Sequence, residues 1–130
     1  MSVNKVLIVD DLFTNRLLVS EILKEIGYPY GEAKNGKQAI EMLSTERFDI
    51  VLMDIEMPVM NGIETTKYIR EKFEYPLNCI PVLALTAHNP HLFFSDFKDV
   101  GFDQLITKPY SINKIKDSID SAIACSRKTV

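Results

Sequence analysis

The sequence lacks any apolar stretch approaching the ~20 residues that a membrane-spanning helix needs. Its opening residues, Met1-Ser2-Val3-Asn4-Lys5, have no signal-peptide anatomy. A cytoplasmic protein with no membrane role is expected. Cysteine is scarce. Cys79 and Cys125 are far apart with no CxxC spacing, which favours two reduced thiols over a disulfide or a metal pair. Neither charge dominates: 15 Lys and Arg face 18 Asp and Glu, for a net charge of −3. Nucleic-acid binding, which usually needs a basic face, is therefore not expected. There is no internal repeat, low-complexity run or linker. The 130 residues favour one domain over 1–130, and a hydrophobic fraction of 46% is ample for its core.

Short apolar runs are present, each followed directly by a polar cluster. Val6-Leu7-Ile8-Val9 precedes Asp10-Asp11, and Ile50-Val51-Leu52-Met53 precedes Asp54. Val82-Leu83-Ala84-Leu85 precedes Thr86, and Leu105-Ile106-Thr107 precedes Lys108. Runs of this length read as strands buried on both faces, and the helical patterns between them predict a parallel sheet.

The spacing predicts strands over Lys5–Asp10, Tyr30–Ala33, Asp49–Asp54, Pro81–Thr86 and Gln104–Thr107. A helix over Phe13–Ile26 carries Leu18, Ile22 and Ile26 at i, i+4, i+8, with Gly27 as its stop. Asn35-Gly36 turns into a helix carrying Ala39, Ile40 and Leu43. Asn61 caps a helix over Gly62–Phe73, with Ile69 and Phe73 inward. Pro90 opens a helix that runs through Val100 and stops at Gly101. Ser111 caps a last helix with Ile112, Ile115, Ile119 and Ile123 at spacings of three and four. The expected fold is α/β, a flavodoxin-like (βα)5 arrangement with helices on both faces. Right-handed crossovers leave few topologies, and the order 2-1-3-4-5 is expected. Asp10, Asp11 and Asp54 then stand at the switch point, where such sheets bind ligands.

Three carboxylates, a hydroxyl and an ammonium on one sheet edge suit a divalent metal beside a phosphoryl group. Mg²⁺ prefers oxygen ligands, which Asp10, Asp11 and Asp54 supply. Without a cation these carboxylates repel one another. Phosphoryl transfer depends on positioning and charge neutralisation. Asp54, at the end of a central strand, is the expected nucleophile, giving an aspartyl phosphate. Lys108 would pair with phosphoryl oxygens as a point charge, and Thr86 would donate a hydrogen bond to another. Taken singly, Asp10-Asp11 reads as a helix cap, Asp54 as a turn residue, Thr86 as a strand end and Lys108 as a solvated lysine. Jointly they fall on one predicted edge.

These residues resemble a response-regulator receiver domain of two-component signalling. The resemblance rests on Val9-Asp10-Asp11, Asn15-Arg16, Asn35-Gly36, Met53-Asp54 and Met57-Pro58-Val59-Met60-Asn61-Gly62. It extends through Pro81-Val82-Leu83-Ala84-Leu85-Thr86-Ala87 and Thr107-Lys108-Pro109, and so covers nearly the whole chain. It implies Asp54 as phosphoacceptor and Asp10 and Asp11 as the acidic pair holding Mg²⁺. The Glu56 backbone carbonyl would be a further ligand. Thr86 would be the switch hydroxyl, with Ala87 beside it at the phosphoryl group, and Lys108 the lysine of the family. Pro109 would shape the site through a cis Lys–Pro bond. Glu56 and His88 occupy positions that tune the attack of water on the acyl phosphate in the family. Glu56 reads equally well as an exposed loop residue.

One position departs from the pattern: Leu105 stands where many receivers carry an aromatic that swings inward on activation. Leu92, Phe93, Phe94 and Phe97 cannot all face inward on one helix. Phe93 and Phe94 are therefore candidates for an effector contact or a homodimer. The resemblance implies an output face made by the fourth helix, the fifth strand and the last helix. The donor would be a histidine kinase or histidine phosphotransfer protein. Met1 suits a free-standing protein, and an excised domain would look the same; with no further segment after the last helix the expected output is protein contact. Such a protein would catalyse only its own phosphorylation and dephosphorylation. A haloacid-dehalogenase-like phosphatase fits less well, because Asp10-Asp11 are adjacent where Asp-x-Asp is needed. A flavin-binding protein fits less well too, because the loop after the first strand is acidic where a phosphate cradle needs backbone donors.

Overall fold

The structure is a computed structural model that describes residues 5–55, 57, 60–86, 100–108 and 110–128. The chain runs β1 (Val6–Val9), α1 (Phe13–Ile26), β2 (Tyr30–Ala33), α2 (Gly36–Thr45), β3 (Ile50–Asp54) and α3 (Gly62–Lys72). A single 3-10 turn (Leu77–Cys79) leads to β4 (Val82–Thr86), β5 (Gln104–Thr107) and a C-terminal helix (Ile112–Lys128). The five strands form one parallel sheet in the order β2-β1-β3-β4-β5, as expected. Of the helix expected over Pro90–Val100, only Val100 lies within the described residues; Leu92, Phe93, Phe94 and Phe97 lie outside them. No helix among the described residues is long and apolar enough to cross a membrane.

Strand side chains alternate between faces, and here both faces are apolar. Val6, Ile8, Ile50, Leu52, Leu83, Leu85 and Ile106 pack with Val19, Ile22 and Leu23 of α1 and with Ile115, Ile119 and Ile123 of the C-terminal helix. Leu7, Val9, Ala33, Val51, Met53 and Val82 pack with Ala39 and Leu43 of α2 and Ile69 of α3. Each fully buried Val, Leu or Ile contributes about 1.5–3 kcal/mol relative to exposure. This two-sided burial is why the strands read as unbroken apolar runs.

Helix ends are set by local chemistry. Gly27 closes α1 at φ 95°, in the left-handed region open to glycine. The Asn35 side chain accepts from Gln38 N–H at 2.8 Å, so this residue caps α2. Asn61 and Glu64 form a reciprocal capping box on α3. Ser111 Oγ accepts from Lys114 N–H at 3.1 Å at the start of the C-terminal helix. Because all five strands run parallel, their C-terminal ends share one sheet edge.

Two residues depart from the expected inward stripes. Leu18 is 48% exposed, and the inward face of α1 is instead Arg16, Val19, Ser20, Ile22 and Leu23. Ile112 is 45% exposed, whereas Ile115, Ile119 and Ile123 are buried. Both helices carry apolar side chains beyond the stripe that packs, so periodicity alone does not choose the buried face.

Candidate functional site

Asp10 follows β1 directly, and Asp54 is the last residue of β3. Val9 pairs with Met53 in register, which sets the two aspartates side by side at the strand ends. Asp11 joins them, and one carboxylate oxygen from each of the three lies within 4.8 Å of the others. Asp10 and Asp54 are buried and Asp11 is half-buried. Burial holds the Asp10 carboxyl above the usual carboxylate range. The Leu12 N–H and the Lys108 charge oppose this, and the Asp11 charge adds to it.

Asp10 is held through one carboxylate oxygen and its main chain. Its Oδ1 accepts from Leu12 N–H at 3.0 Å, and its backbone carbonyl accepts from Arg16 Nη1 at 2.8 Å. Its Oδ2 is buried and has no hydrogen-bond partner among the described residues. The helix-cap reading of Asp10-Asp11 does not hold: the N-cap of α1 is Leu12 with no side-chain cap, and Asp10 Oδ1 meets the Leu12 N–H ahead of the helix. The other oxygen, with Asp11 and Asp54, forms an oxygen-only set with excess negative charge. That set fits a hard divalent cation.

The remaining edge is built by β4 and β5. Thr86 ends β4, is buried, and pairs in register with Thr107. Lys108 N–H donates to the Thr86 carbonyl at 2.9 Å. The Lys108 charge favours the ionised form of Asp10. Asp10, Asp11, Asp54, Thr86 and Lys108 therefore share one sheet edge. Glu56, Ala87, His88 and Pro109 lie outside the described residues. Leu105 is half-buried and packs against Ile55 and Ala84.

Two glycines bring the segment after Asp54 close. Gly62 N–H donates to the Ile55 carbonyl at 3.0 Å, and Gly36 N–H to the Met60 carbonyl at 3.2 Å. Ile55 is thereby tied to the start of α3 and Met60 to the start of α2.

Two residues at the site went unassigned in the sequence reading. Arg16 is buried, and its Nε also donates to Glu32 at 3.2 Å, bracing α1 against β2. Tyr110 carries a buried hydroxyl, which burial and the Asp10 and Asp54 charges push up. The available signals were a charged residue on a helix face between apolar ones, and a phenol two residues beyond Lys108.

An open parallel sheet with an acidic triad at its switch point defines a class of phosphoryl-accepting signalling domains. The profile of the family described as "Response regulator receiver domain" matches residues 6–120. The chain belongs to the response regulator receiver domain family. It is 38% identical over 117 residues to Hybrid signal transduction histidine kinase A of Dictyostelium discoideum, covering 88% of this chain and 5% of that protein. It is 35% identical over 115 residues to Sporulation initiation phosphotransferase F of Bacillus subtilis (strain 168), covering 88% of this chain and 90% of that protein. Among solved structures, the Vibrio cholerae chemotaxis protein CheY4 superposes with a TM-score of 0.84 at 30% identity, over 93% of this chain and 99% of that one. Response regulator TrrA of Thermotoga maritima, in complex with Mg²⁺-BeF, superposes with a TM-score of 0.80 at 29% identity, over 92% and 98% of the two chains.

Proposed function

We propose that residues 1–130 form a single cytoplasmic receiver domain that accepts a phosphoryl group on Asp54 from a phosphohistidine donor. The observation that carries this reading is the convergence of Asp10, Asp11 and Asp54 within 4.8 Å at the ends of β1 and β3. Asp10, Asp11, Asp54 and the Glu56 carbonyl would hold Mg²⁺, the ion named with the TrrA structure. Bound there, Mg²⁺ supplies positive charge that offsets the carboxylates and the phosphoryl oxygens.

The chain's own residues do the rest. A carboxylate oxygen of Asp54 forms a bond to phosphorus as the bond from phosphorus to the donor imidazole nitrogen breaks. The imidazole keeps the electron pair of that bond and leaves neutral, because its other ring nitrogen carries a proton. Lys108 pairs with a phosphoryl oxygen, Thr86 donates its hydroxyl to another, and Ala87 and Pro109 shape the surroundings. Glu56 and His88 set the access of water, which later attacks phosphorus and regenerates the Asp54 carboxylate. Catalysis is confined to the domain's own phosphorylation and dephosphorylation.

The donor is a histidine kinase or histidine phosphotransfer protein, in keeping with the relatives' names. Leu12, Phe13, Leu17 and Leu18 are exposed along α1 directly after Asp10-Asp11, and Ile112 is exposed at the start of the neighbouring helix. Apolar side chains gathered beside an acidic pocket offer a docking surface for an apolar helix that carries the histidine. The effector, or a second copy of the chain, would bind through the face of Phe93, Phe94, β5 and the C-terminal helix.

The test is incubation with acetyl phosphate, with and without Mg²⁺, followed by intact mass. The expected result is a gain of one phosphoryl group that needs Mg²⁺ and is lost in Asp54→Asn. A gain retained in Asp54→Asn would place the acceptor elsewhere.

A further inference from the structure

The peptide group that joins Asp10 to Asp11 is gripped by a side chain from the helix that follows. Arg16, on the inward face of α1, donates from Nη1 to the Asp10 carbonyl at 2.8 Å in a buried hydrogen bond. The Asp10 N–H donates in turn to the Ala33 carbonyl of β2 at 3.1 Å. Both peptide planes flanking Asp10 are therefore fixed, one from β2 and one from α1. A trans peptide is planar, so holding its carbonyl also sets the direction in which the chain enters Asp11. With the backbone set, the Leu12 N–H at 3.0 Å from Oδ1 fixes the turn of the Asp10 carboxylate. Its Oδ2 is buried and has no hydrogen-bond partner among the described residues.

A buried guanidinium is expensive to desolvate unless it is paired. Its pair is Glu32, which lies opposite Ile8 in the β1–β2 register and accepts from Nε at 3.2 Å. Glu32 is itself exposed. An arginine whose only task was to brace α1 against β2 would need this ion pair alone, and could sit at the surface with it. Instead the shorter bond, which is also the buried one, goes to the link between the two acids. One rigid fork thus reaches two targets in different directions, an arrangement that a lysine ammonium cannot reproduce.

We propose that Arg16 is a positioning residue for the metal: anchored by Glu32, it clamps the Asp10–Asp11 peptide and so presents both carboxylates to the divalent cation. The inference rests on the reading that the acidic triad holds Mg²⁺. It adds the group that keeps two of the three acids in place. Outer groups that orient metal ligands typically account for about 10–100-fold in affinity.

The test is Mg²⁺ titration by calorimetry of the native protein, Arg16→Met, Glu32→Ala and the double variant, beside thermal melts in EDTA. Each titration is run well below that variant's melting temperature, so that only folded protein is read. Arg16→Met, which keeps an apolar stem, should bind Mg²⁺ about tenfold more weakly. Glu32→Ala should lose a smaller part of the affinity. The double variant should match Arg16→Met, because Glu32 acts only through Arg16. A merely structural brace would lower the EDTA melting temperature and leave the affinity of folded Arg16→Met within about twofold of native, against the tenfold expected, which would overturn the proposal. Should Arg16→Met fail to fold, native affinity in Glu32→Ala would overturn it instead. Additive losses in the double variant would also count against the clamp. If the native protein bound no Mg²⁺, the metal reading itself would fall and this inference with it. Native binding matched by Arg16→Met would sink the Arg16 role alone.

Discussion

A Cβ added to Gly62 would lie 2.4 Å from the carbonyl oxygen of Asp54 and 2.8 Å from the Cα of Ile55. The first residue of α3 thus rests against the backbone of Asp54, the proposed phosphoacceptor. Gly62→Ala must push the two apart, because the obstacle is main chain rather than a flexible side chain. The expected cost is about 1–3 kcal/mol of stability, as for other forced overpacking. Phosphorylation from acetyl phosphate should slow in parallel. Gly27→Ala is the control. Its Cβ meets nothing within 4 Å, but its φ of +95° is strained for alanine. That variant should lose about 1–2 kcal/mol with normal phosphorylation. Urea unfolding and intact-mass kinetics on both variants separate the two effects. Equal phosphorylation by Gly62→Ala and the native protein would refute the coupling.

Asp10→Asn should stabilise the metal-free protein. Burial raises the native Asp10 carboxyl above its ordinary value, and the Asp11 charge adds to the rise. The sign follows from linkage. Stability associated with the neutral carboxyl is fully present below the ordinary Asp range. It is lost as pH climbs through the raised native value. The asparagine variant carries no such loss, so in EDTA its melting temperature should exceed that of the native protein at neutral pH. The gap should close in acid. Mg²⁺ should reverse the ranking, because the native protein gains binding energy that the variant lacks. Thermal melts over pH, with EDTA or Mg²⁺, test both halves.

The legibility of this site follows from where its residues sit. Asp10, Asp54 and Thr86 are each the first polar residue after an unbroken apolar run, and two-sided burial makes such runs conspicuous. Gly27, Asn61 and Ser111 marked helix boundaries because their roles are local. The buried face of α1 was not legible. Phe13, Leu17 and Leu18 are apolar yet exposed, while Arg16 is charged yet buried. Apolar side chains left exposed and a guanidinium that donates to the Asp10 carbonyl and to Glu32 both invert the usual pattern. Tyr110 escaped for a related reason: nothing local reveals whether a phenol finds a partner. Asn35-Gly36 read as a turn, and the structure shows the asparagine acting as a helix cap.

Arg70 should prove essential to the fold and indifferent to the metal. Its guanidinium donates to the Gly101 carbonyl at 2.7 Å and the Ile80 carbonyl at 2.7 Å. It also reaches the Asn78 carbonyl and the Asp103 carboxylate, both at 3.0 Å. The group therefore joins α3 to the entries of β4 and β5, at the sheet edge opposite Asp54. Burial of the guanidinium lowers its basicity, and the Asp103 charge partly offsets this. Arg70→Met leaves several carbonyls without a donor and should cost about 2–3 kcal/mol. Arg70→Lys should recover little, because an ammonium cannot span the fork. Chemical denaturation measures the loss. Mg²⁺ affinity of the folded fraction should match the native value, and a large drop would show that the two sheet edges are coupled.

The exposed apolar row on α1 gives the last prediction. Leu17 is 45% exposed and Phe13 65%, on the helix that begins two residues after Asp11. Neither belongs to a core cluster among the described residues, so removing them should change stability by no more than about 0.5 kcal/mol. Acetyl phosphate is too small to need this surface. The double variant Phe13→Ser, Leu17→Ser should therefore accept phosphoryl groups from acetyl phosphate at the native rate. Transfer from a phosphohistidine-bearing protein should slow by about tenfold or more, as expected when apolar anchors leave an interface. Parallel kinetics with the two donors isolate the docking step from the chemistry. If both donors phosphorylated the variant at native rates, the donor would have to approach Asp54 across another face.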